Sequence, residues 1–378
     1  MSDNKKQNKP NVPNLRFPEF SGEWKIFSLG DLCSEFQSGK GIKANSIKEN
    51  APYPVYGGNG LRGYSDFYNH DGDYSLIGRQ GAKCGNVRLV SGRSYITEHA
   101  IAIKANSKNN TEFLTWLLVQ MNLGQYSDQS AQPGLAVNKL VKLKAFVPDL
   151  NEQTKIARLL TLLNNRIVVQ NKVIEKYESL IKALTQQAHK RATSSYFLRD
   201  VLAERKELNS KGFDICSVSV SKGVINQIEY LGRSFAAKET KHYHVVRHGD
   251  VVYTKSPTGD FPYGIIKQNY NENPVAVSPL YGVYEPITYE VGVYLHYYFC
   301  SPNNALNYLH PLIQKGAKNT INITNQHFLD NKVRIPDSKV LSKTVSTIIT
   351  ISSRLQLEER LLCQLQLQKQ FVLSNMFI

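Results

Sequence analysis

No run of eighteen apolar residues occurs in the 378-residue chain, so a membrane-spanning helix is not expected. The opening stretch, Met1 to Pro10, is polar and lysine-bearing, unlike a secretory signal with an apolar centre, and a cytoplasmic location is the expectation. Cysteine is scarce. Cys33, Cys84, Cys216, Cys300 and Cys363 are scattered with no close pair, which predicts reduced, mostly buried thiols rather than a zinc site or a disulfide framework. No Pro-Pro pair occurs, so the Pro-Pro-aromatic loop with which an adenine methyltransferase holds a flipped base is missing. No glycine loop ends in Gly-Lys-Ser/Thr, which excludes a P-loop motor. Acidic residues are few beside basic ones, 31 Asp+Glu against 46 Lys+Arg, for a formal charge of +15. That excess favours a polyanionic partner, nucleic acid first. With 41% hydrophobic residues the chain can fill the cores of two to three domains.

What the chain has is a repeat. Val147-Pro148-Asp149 opens one long amphipathic stretch and Ile335-Pro336-Asp337 another, 188 residues later (147 to 335), and the offset holds without a gap, so that Lys155 meets Lys343 and Arg166 meets Arg354. In the first stretch a heptad core reads Ile156, Leu160, Leu163, Ile167, Gln170, Ile174, Tyr177, Ile181, Leu184, Ala188. In the second it reads Thr344, Ile348, Ile351, Leu355, Glu358, Leu362, Leu365, Lys369, Val372, Met376. Steps alternating between four and three predict two long helices with a coiled-coil seam. Asp149 with Glu152 three residues on resembles a capping box. If a pseudo-twofold axis relates the halves, the helices run antiparallel and their centres meet, with Gln170 facing Glu358 as a polar layer that sets register. A helix of about 39 residues at about 1.5 Å each spans roughly 58 Å, or about 17 base pairs of duplex.

The repeat orders the rest. Residues 1–14 read as a loose tail, 15–148 and 191–335 as two globular segments, and 149–190 and 336–378 as the long helices. Leu29-Gly30-Asp31-Leu32 starts the first globular segment and Leu198-Arg199-Asp200-Val201 its counterpart. Both segments are rich in Gly, Tyr, Val and Ile broken by turn dipeptides, which predicts short strands joined by loops. One helix is expected in each, over Thr111 to Leu123 and Val291 to Tyr308. The fold class is thus α+β: two mixed α/β domains in pseudo-twofold arrangement, separated by two long antiparallel coiled-coil helices.

Several features invite functional readings that the sequence does not support. Gly58, Gly60 and Gly63 have the spacing of a dinucleotide fingerprint, but no helix start follows, and a turn explains them better. His242, His244 and His248 lie in a Tyr/Val strand pattern without a cysteine partner, so no metal is expected. Pro148-Asp149 and Pro336-Asp337 sit where helix caps are expected rather than nuclease carboxylates.

The Pro54-Val55-Tyr56-Gly57-Gly58-Asn59-Gly60 turn, the Ile77-Gly78-Arg79-Gln80-Gly81 loop, His248-Gly249-Asp250-Val251-Val252-Tyr253 and the doubled layout of globular segment plus Pro-Asp helix resemble the specificity subunit of type I restriction-modification systems. The resemblance covers nearly the whole chain. It departs at the second helix, where Ser338-Lys339-Val340-Leu341 lacks the acidic-Gln pair of Asn151-Glu152-Gln153-Thr154. The resemblance implies two target recognition domains, each reading one half of a split site in double-stranded DNA. It also implies an antiparallel helical spacer and no catalysis by this chain. Its implied partners are two adenine methyltransferase subunits and the restriction/translocase subunits, with S-adenosylmethionine, ATP and Mg serving those partners and no cofactor bound here.

Bases are read by Arg, Lys, Asn and Gln on loops that enter a groove. The first domain offers Asn59, Arg62 and Tyr64 around one glycine turn, Arg79, Gln80 and Lys83 in a second loop, and Gln129, Gln132 and Asn138 later. The second offers Lys222, then Lys255, Ser256 and Thr258 after a strand, then Lys315, Lys318, Asn319 and Asn325. The alternative from another class is a scaffold that binds no DNA and assembles protein partners through its helices.

Overall fold

The computed structural model describes residues 11–127, 134–233, 239–315 and 321–378. The chain divides into two compact units, one of residues 1–171 with 360–378 and one of residues 172–359.

Unit 1 begins with β1 (Lys25–Ser28), β2 (Cys33–Ser38), β3 (Tyr53–Gly57), β4 (Gly60–Ser65) and β5 (Tyr74–Gly78). It continues through β6 (Val87–Val90), β7 (Tyr95–Ile96), β8 (Ala100–Ala105), α1 (Thr111–Gln120), the single turn α2 (Val137–Leu140) and β9 (Lys144–Val147). An antiparallel sheet runs β2-β8-β5-β6. Its inner strands follow the period of two. Ile77, Ile101 and Ile103 point to the side where α1 packs Phe113, Leu114 and Leu117, while Leu76, Ala100 and Ala102 point to the other, beneath Tyr74 and Ile96. A small second sheet runs β4-β3-β7. Asn110 caps α1, its side chain accepting from Phe113 N. The helix stops at Gln120, short of the expected Leu123, because the chain turns at Asn122 with φ of 46° into a 3-10 turn.

Unit 2 repeats this plan. It holds β10 (Ser194–Phe197), β11 (Leu202–Glu204), β12 (Cys216–Ser219), β13 (Gly223–Asn226), the short α4 (Gln227–Leu231), β14 (His244–Val246), β15 (Val251–Tyr253), β16 (Ile266–Gln268), β17 (Val275–Val277) and β18 (Gly282–Pro286). Then come α5 (Tyr289–Phe299), α6 (Pro302–Leu309), β19 (Gln314–Lys315), β20 (Ile321–Asn322) and β21 (Lys332–Ile335). The four-stranded sheet β11-β18-β15-β16 has the order and the antiparallel sense of its counterpart in unit 1. Val251, Tyr253 and Tyr284 face α5, and Val252 and Val283 face the opposite side. Thr288 caps α5 by accepting from Val291 N, the role of Asn110 in α1. The single helix expected over Val291 to Tyr308 is two helices. Pro302 cannot donate to a continuing α5, and instead starts α6 as one of its first residues.

The strands flanking the globular parts also match. β1 pairs with β9, Lys25 opposite Val147, and β10 pairs with β21, Ser194 opposite Ile335. A 3-10 turn follows each, and its aspartate, Asp31 or Asp200, accepts from the backbone N–H three residues back, on Ser28 or Phe197. The expected loose tail holds less far than Asn14. Asn11 O already accepts from Trp24 N, and Leu15 N donates to Asn375 O.

Two long helices complete the chain, α3 (Leu150–Arg191, 42 residues) and α7 (Ser338–Asn375, 38 residues), each shared between the units. Every residue of both heptad series is buried or half-buried. Within unit 1, Ile156, Ala157 and Leu160 of α3 share a core with Val372 and Met376 of α7. Within unit 2, Ile181 and Ala188 share one with Leu341, Val345 and Ile348. The early part of each helix therefore packs with the late part of the other, an antiparallel sense inside each unit. The core lysine of the second series, Lys369, is accommodated by a 2.7 Å hydrogen bond to Asn164 Oδ1 and by the face of Trp116. Burial lowers its pKa.

The helix starts are near copies. Asp149 Oδ1 accepts from the N–H groups of Asn151 and Glu152, and Asp337 Oδ1 from those of Lys339 and Val340. The expected capping box is only half formed, because Glu152 does not return to the cap. Its carboxylate is held by Arg16, Nε to Oε1 at 2.8 Å and Nη2 to Oε2 at 2.7 Å. Of the five thiols, only Cys216 is buried, and Cys363 is exposed on α7, which corrects the expectation of mostly buried cysteines.

Candidate nucleic-acid interface

In unit 1 the site grows from two glycine-built turns. β3 and β4 form a hairpin, Gly57 opposite Gly60, with Gly58 and Asn59 at its tip. Gly60 has φ of +105°, a conformation that an L side chain rarely adopts. β5 ends at Gly78 and the chain loops through Arg79, Gln80 and Lys83 to Gly85 before β6. The two turns touch backbone to backbone. A Cβ on Gly58 would lie 2.7 Å from His99 O and 3.7 Å from both Arg79 N and Gln80 O, and one on Gly78 would lie 2.8 Å from Gly58 O. Only glycine allows that approach.

Asn59, Arg79 and Gln80 are thereby brought together. Asn59 and Gln80 are exposed and Arg79 is half-buried. The loop is pinned where Arg79 N donates to His99 O and Leu135 N donates to Arg79 O. Arg62 is exposed on β4 with its aliphatic stem against Gly57, and Lys83 is exposed in the loop's 3-10 turn. Arg62, Arg79 and Lys83 form no ion pair with another described residue, which leaves their charge available to an anion. Tyr64 does not join them. It sits near the far end of β4, half-buried and bridged to Lys48. Asn138 is exposed on α2, and Gln129 and Gln132 lie outside the described residues.

In unit 2, Lys255, Ser256 and Thr258 occupy the loop between β15 and β16. Lys255 is half-buried, and burial lowers its pKa against the opposing pull of Glu204; Ser256 and Thr258 are exposed. Lys222 is exposed in the β12–β13 hairpin. Asn325 is turned to the protein, donating to Glu204 Oε1 at 3.0 Å, while its backbone oxygen accepts from Tyr284. Lys315 lies on β19 opposite Ile321, and Lys318 and Asn319 lie outside the described residues. Gln170 is buried in unit 1's share of α3. Glu358 is buried in unit 2's share of α7, with Arg354 Nε at 2.8 Å.

The strand registers make the two loops equivalent. Ile77 lies between Val87 and Ile101, as Tyr253 lies between Ile266 and Gly282. One residue on, Gly78 N donates to Asn86 O at 2.8 Å and Thr254 N to Ile265 O at 2.9 Å. The next residue is Arg79 in one unit and Lys255 in the other. Each loop closes on a glycine of positive φ, Gly85 at +85° and Gly264 at +98°, whose Cα is packed against backbone. The same frame thus presents a basic residue at the same point of both sheets.

Sequence reasoning passed over Arg88, which is exposed on β6. Together with Asn59, Asn86 and Asn122 it borders a cavity of about 380 Å³. It follows the glycine loop rather than lying in it, so composition gave no signal. Among the described residues no group of His, Cys, Asp or Glu is arranged to hold a metal ion. His244 bonds to Tyr281 O and His248 stacks on Tyr289. No helix of the described residues is long and apolar enough to cross a membrane.

Comparison with known proteins agrees with this architecture. Residues 21–179 match the family model described as "Type I restriction modification DNA specificity domain". The specificity subunit of the type I restriction enzyme EcoprrI of Escherichia coli is 40% identical over 176 residues, covering 46% of this chain and 40% of that one. A putative type I restriction enzyme specificity subunit of Haemophilus influenzae is 24% identical over 144 residues, 37% of each chain. The matches thus span less than half the length of these curated relatives. The crystal structure of a type I restriction-modification S subunit from M. genitalium superposes with a TM-score of 0.70 at 13% identity, covering 97% of this chain and 99% of that one. The chain is therefore similar to type I restriction-modification specificity subunits: residues 21–179 match the model of their DNA specificity domain, and the chain shares the fold of the M. genitalium S subunit over nearly its whole length.

Proposed function

We propose that this chain is the DNA-recognition subunit of a type I restriction-modification complex, each unit reading one half of a bipartite site in double-stranded DNA. The observation that carries the reading is the pair of equivalent hairpins, with Arg79 and Lys255 at matching places on two sheets of the same order. Around Arg79 stand Asn59 and Gln80, side chains suited to base edges, with Arg62 and Lys83 nearby for phosphate. Around Lys255 stand the hydroxyls of Ser256 and Thr258, with Lys222, Lys315, Lys318 and Asn319 as further candidates. The chain itself is non-catalytic in this reading.

The long helices set the separation of the two half-sites, with buried Gln170 and Glu358 fixing their register. They also carry apolar side chains that the chain leaves in solvent. Leu162, Val169, Leu367 and Phe371 on unit 1's share are each more than half exposed, as is Leu357 on unit 2's. Such residues suit docking of two methyltransferase subunits, and the restriction/translocase subunits would join that assembly in the cytoplasm. S-adenosylmethionine, ATP and Mg would serve those partners. Filter binding of the full chain to duplex DNA at several salt concentrations tests the reading against that of a protein scaffold. DNA recognition gives a steep negative slope of log affinity against log salt, and a scaffold gives no binding and no slope.

A further inference from the structure

Arg88 has a geometry that the equivalent loops do not require. A Cβ built on Gly60 would meet Nη1, Cζ and Nη2 of Arg88 at 2.8, 2.9 and 2.9 Å. Three near-equal distances mean that the guanidinium lies flat over the glycine rather than touching it with one corner. A plane held by its face keeps its N–H edge free, and a fork in fixed orientation is what bidentate recognition needs. Arg88 forms no ion pair with another described residue.

The cavity it borders has a consistent chemistry. Asn59, Asn86 and Asn122 supply carboxamides, Gly58 and Gly78 supply backbone, and no carboxylate lines it. Asn122 is the only described non-glycine residue with a positive φ, a conformation that asparagine tolerates better than most. Guanidinium with carboxamides is the set that pairs with base edges: Arg bidentate with guanine, Asn with adenine. Phosphate would be served as well by lysines or hydroxyls.

The corresponding position in unit 2 is turned to another use. Leu76 lies opposite Arg88 and Val252 opposite Lys267, which makes Lys267 the counterpart. Lys267 is buried, and its Nζ lies 3.2 Å from Cys300 Sγ at the end of α5. That ammonium cannot reach a ligand at the surface.

We infer that Arg88 is a specificity-determining residue, which presents its guanidinium fork to the O6/N7 edge of a guanine in the half-site read by unit 1. The half-site of unit 2 is read without such a contact. The inference rests on the reading of the chain as a DNA-recognition subunit.

The test uses the complex purified from its native strain through this chain, as wild type, Arg88→Ala and Arg88→Lys. Competing duplexes vary each position of the motif defined by mapping methylated adenines in that strain. Both variants are expected to lose about 5- to 150-fold of discrimination at one G·C position in one half of the motif and nowhere else. Lysine keeps the charge but not the fork, so full discrimination by Arg88→Lys would overturn the inference that the fork reads the base. An equal loss of affinity for all sequences, or no change in Arg88→Ala, would overturn it too, with the DNA-recognition reading intact. A wild-type complex without sequence preference would remove that reading and the inference with it.

Discussion

Replacing Arg16 by alanine is expected to destabilise unit 1 far more than its place near the chain's start suggests. Glu152, in the first turn of α3, has only 1% of its side chain exposed, and Arg16 only 16%. The pair is joined by two charge-assisted hydrogen bonds, and the guanidinium also donates to Gly22 O at 2.6 Å and Ser21 O at 3.1 Å. Deleting the arginine leaves a buried carboxylate without its cation, a change that costs about 3 to 5 kcal/mol. The two carbonyls face solvent and add little. Urea unfolding at pH 7 measures the loss. The double variant Arg16→Ala/Glu152→Ala should cost less than the sum of the single ones, since it removes the stranded charge along with its partner. A loss below about 1 kcal/mol for Arg16→Ala, the range of an exposed pair, would refute the reasoning, as would additive single effects.

Two further perturbations follow from local geometry. Asp149→Ala and Asp337→Ala should each cost about 1 kcal/mol in urea unfolding, because each aspartate accepts from two N–H groups of its helix's first turn; a cost at one site and none at the other would contradict the equivalence of the two starts. His296 is buried as the neutral ring, its Nδ1 accepting from Gln268 N, and burial brings its pKa from 6.5 down to about 3. The unfolded chain binds the proton first, so this stabilisation is complete above pH 6.5 and is lost at about 1.4 kcal/mol per pH unit as pH falls from there towards 3. Unfolding titrations between pH 7.5 and 5 should show that slope, reduced in His296→Gln; an unchanged slope in the variant would dismiss the assignment.

The helices were the most legible part of the sequence, because heptads are local and gapless. All twenty positions of the two series came out buried or half-buried, even Lys369, whose burial needed Asn164 and Trp116 from elsewhere in the chain. The glycine loops were legible for a similar reason: Gly58, Gly60, Gly78 and Gly85 mark places where backbones meet. The likeness of the two globular parts was visible only at their edges. Residue offsets drift from 169 (Leu29 to Leu198) through 176 (Ile77 to Tyr253) to 188 (Val147 to Ile335), since the loops differ in length, and no single shift aligns them. Long-range partners were out of reach altogether. Nothing near Glu152 announces Arg16, 136 residues earlier, and nothing in Arg88 announces that its guanidinium rests on Gly60. The break at Pro302 was readable, yet the apolar spacing on both sides of it outweighed the proline.

The central claim is that two equivalent loops read two separate words of DNA. It is tested most directly by mapping methylated adenines in the native strain carrying the wild-type chain, Arg79→Ala or Lys255→Ala. A split motif, with Arg79→Ala relaxing a position in one half and Lys255→Ala a position in the other, is the expected result. A motif without a gap, or both substitutions altering the same half, would contradict the account.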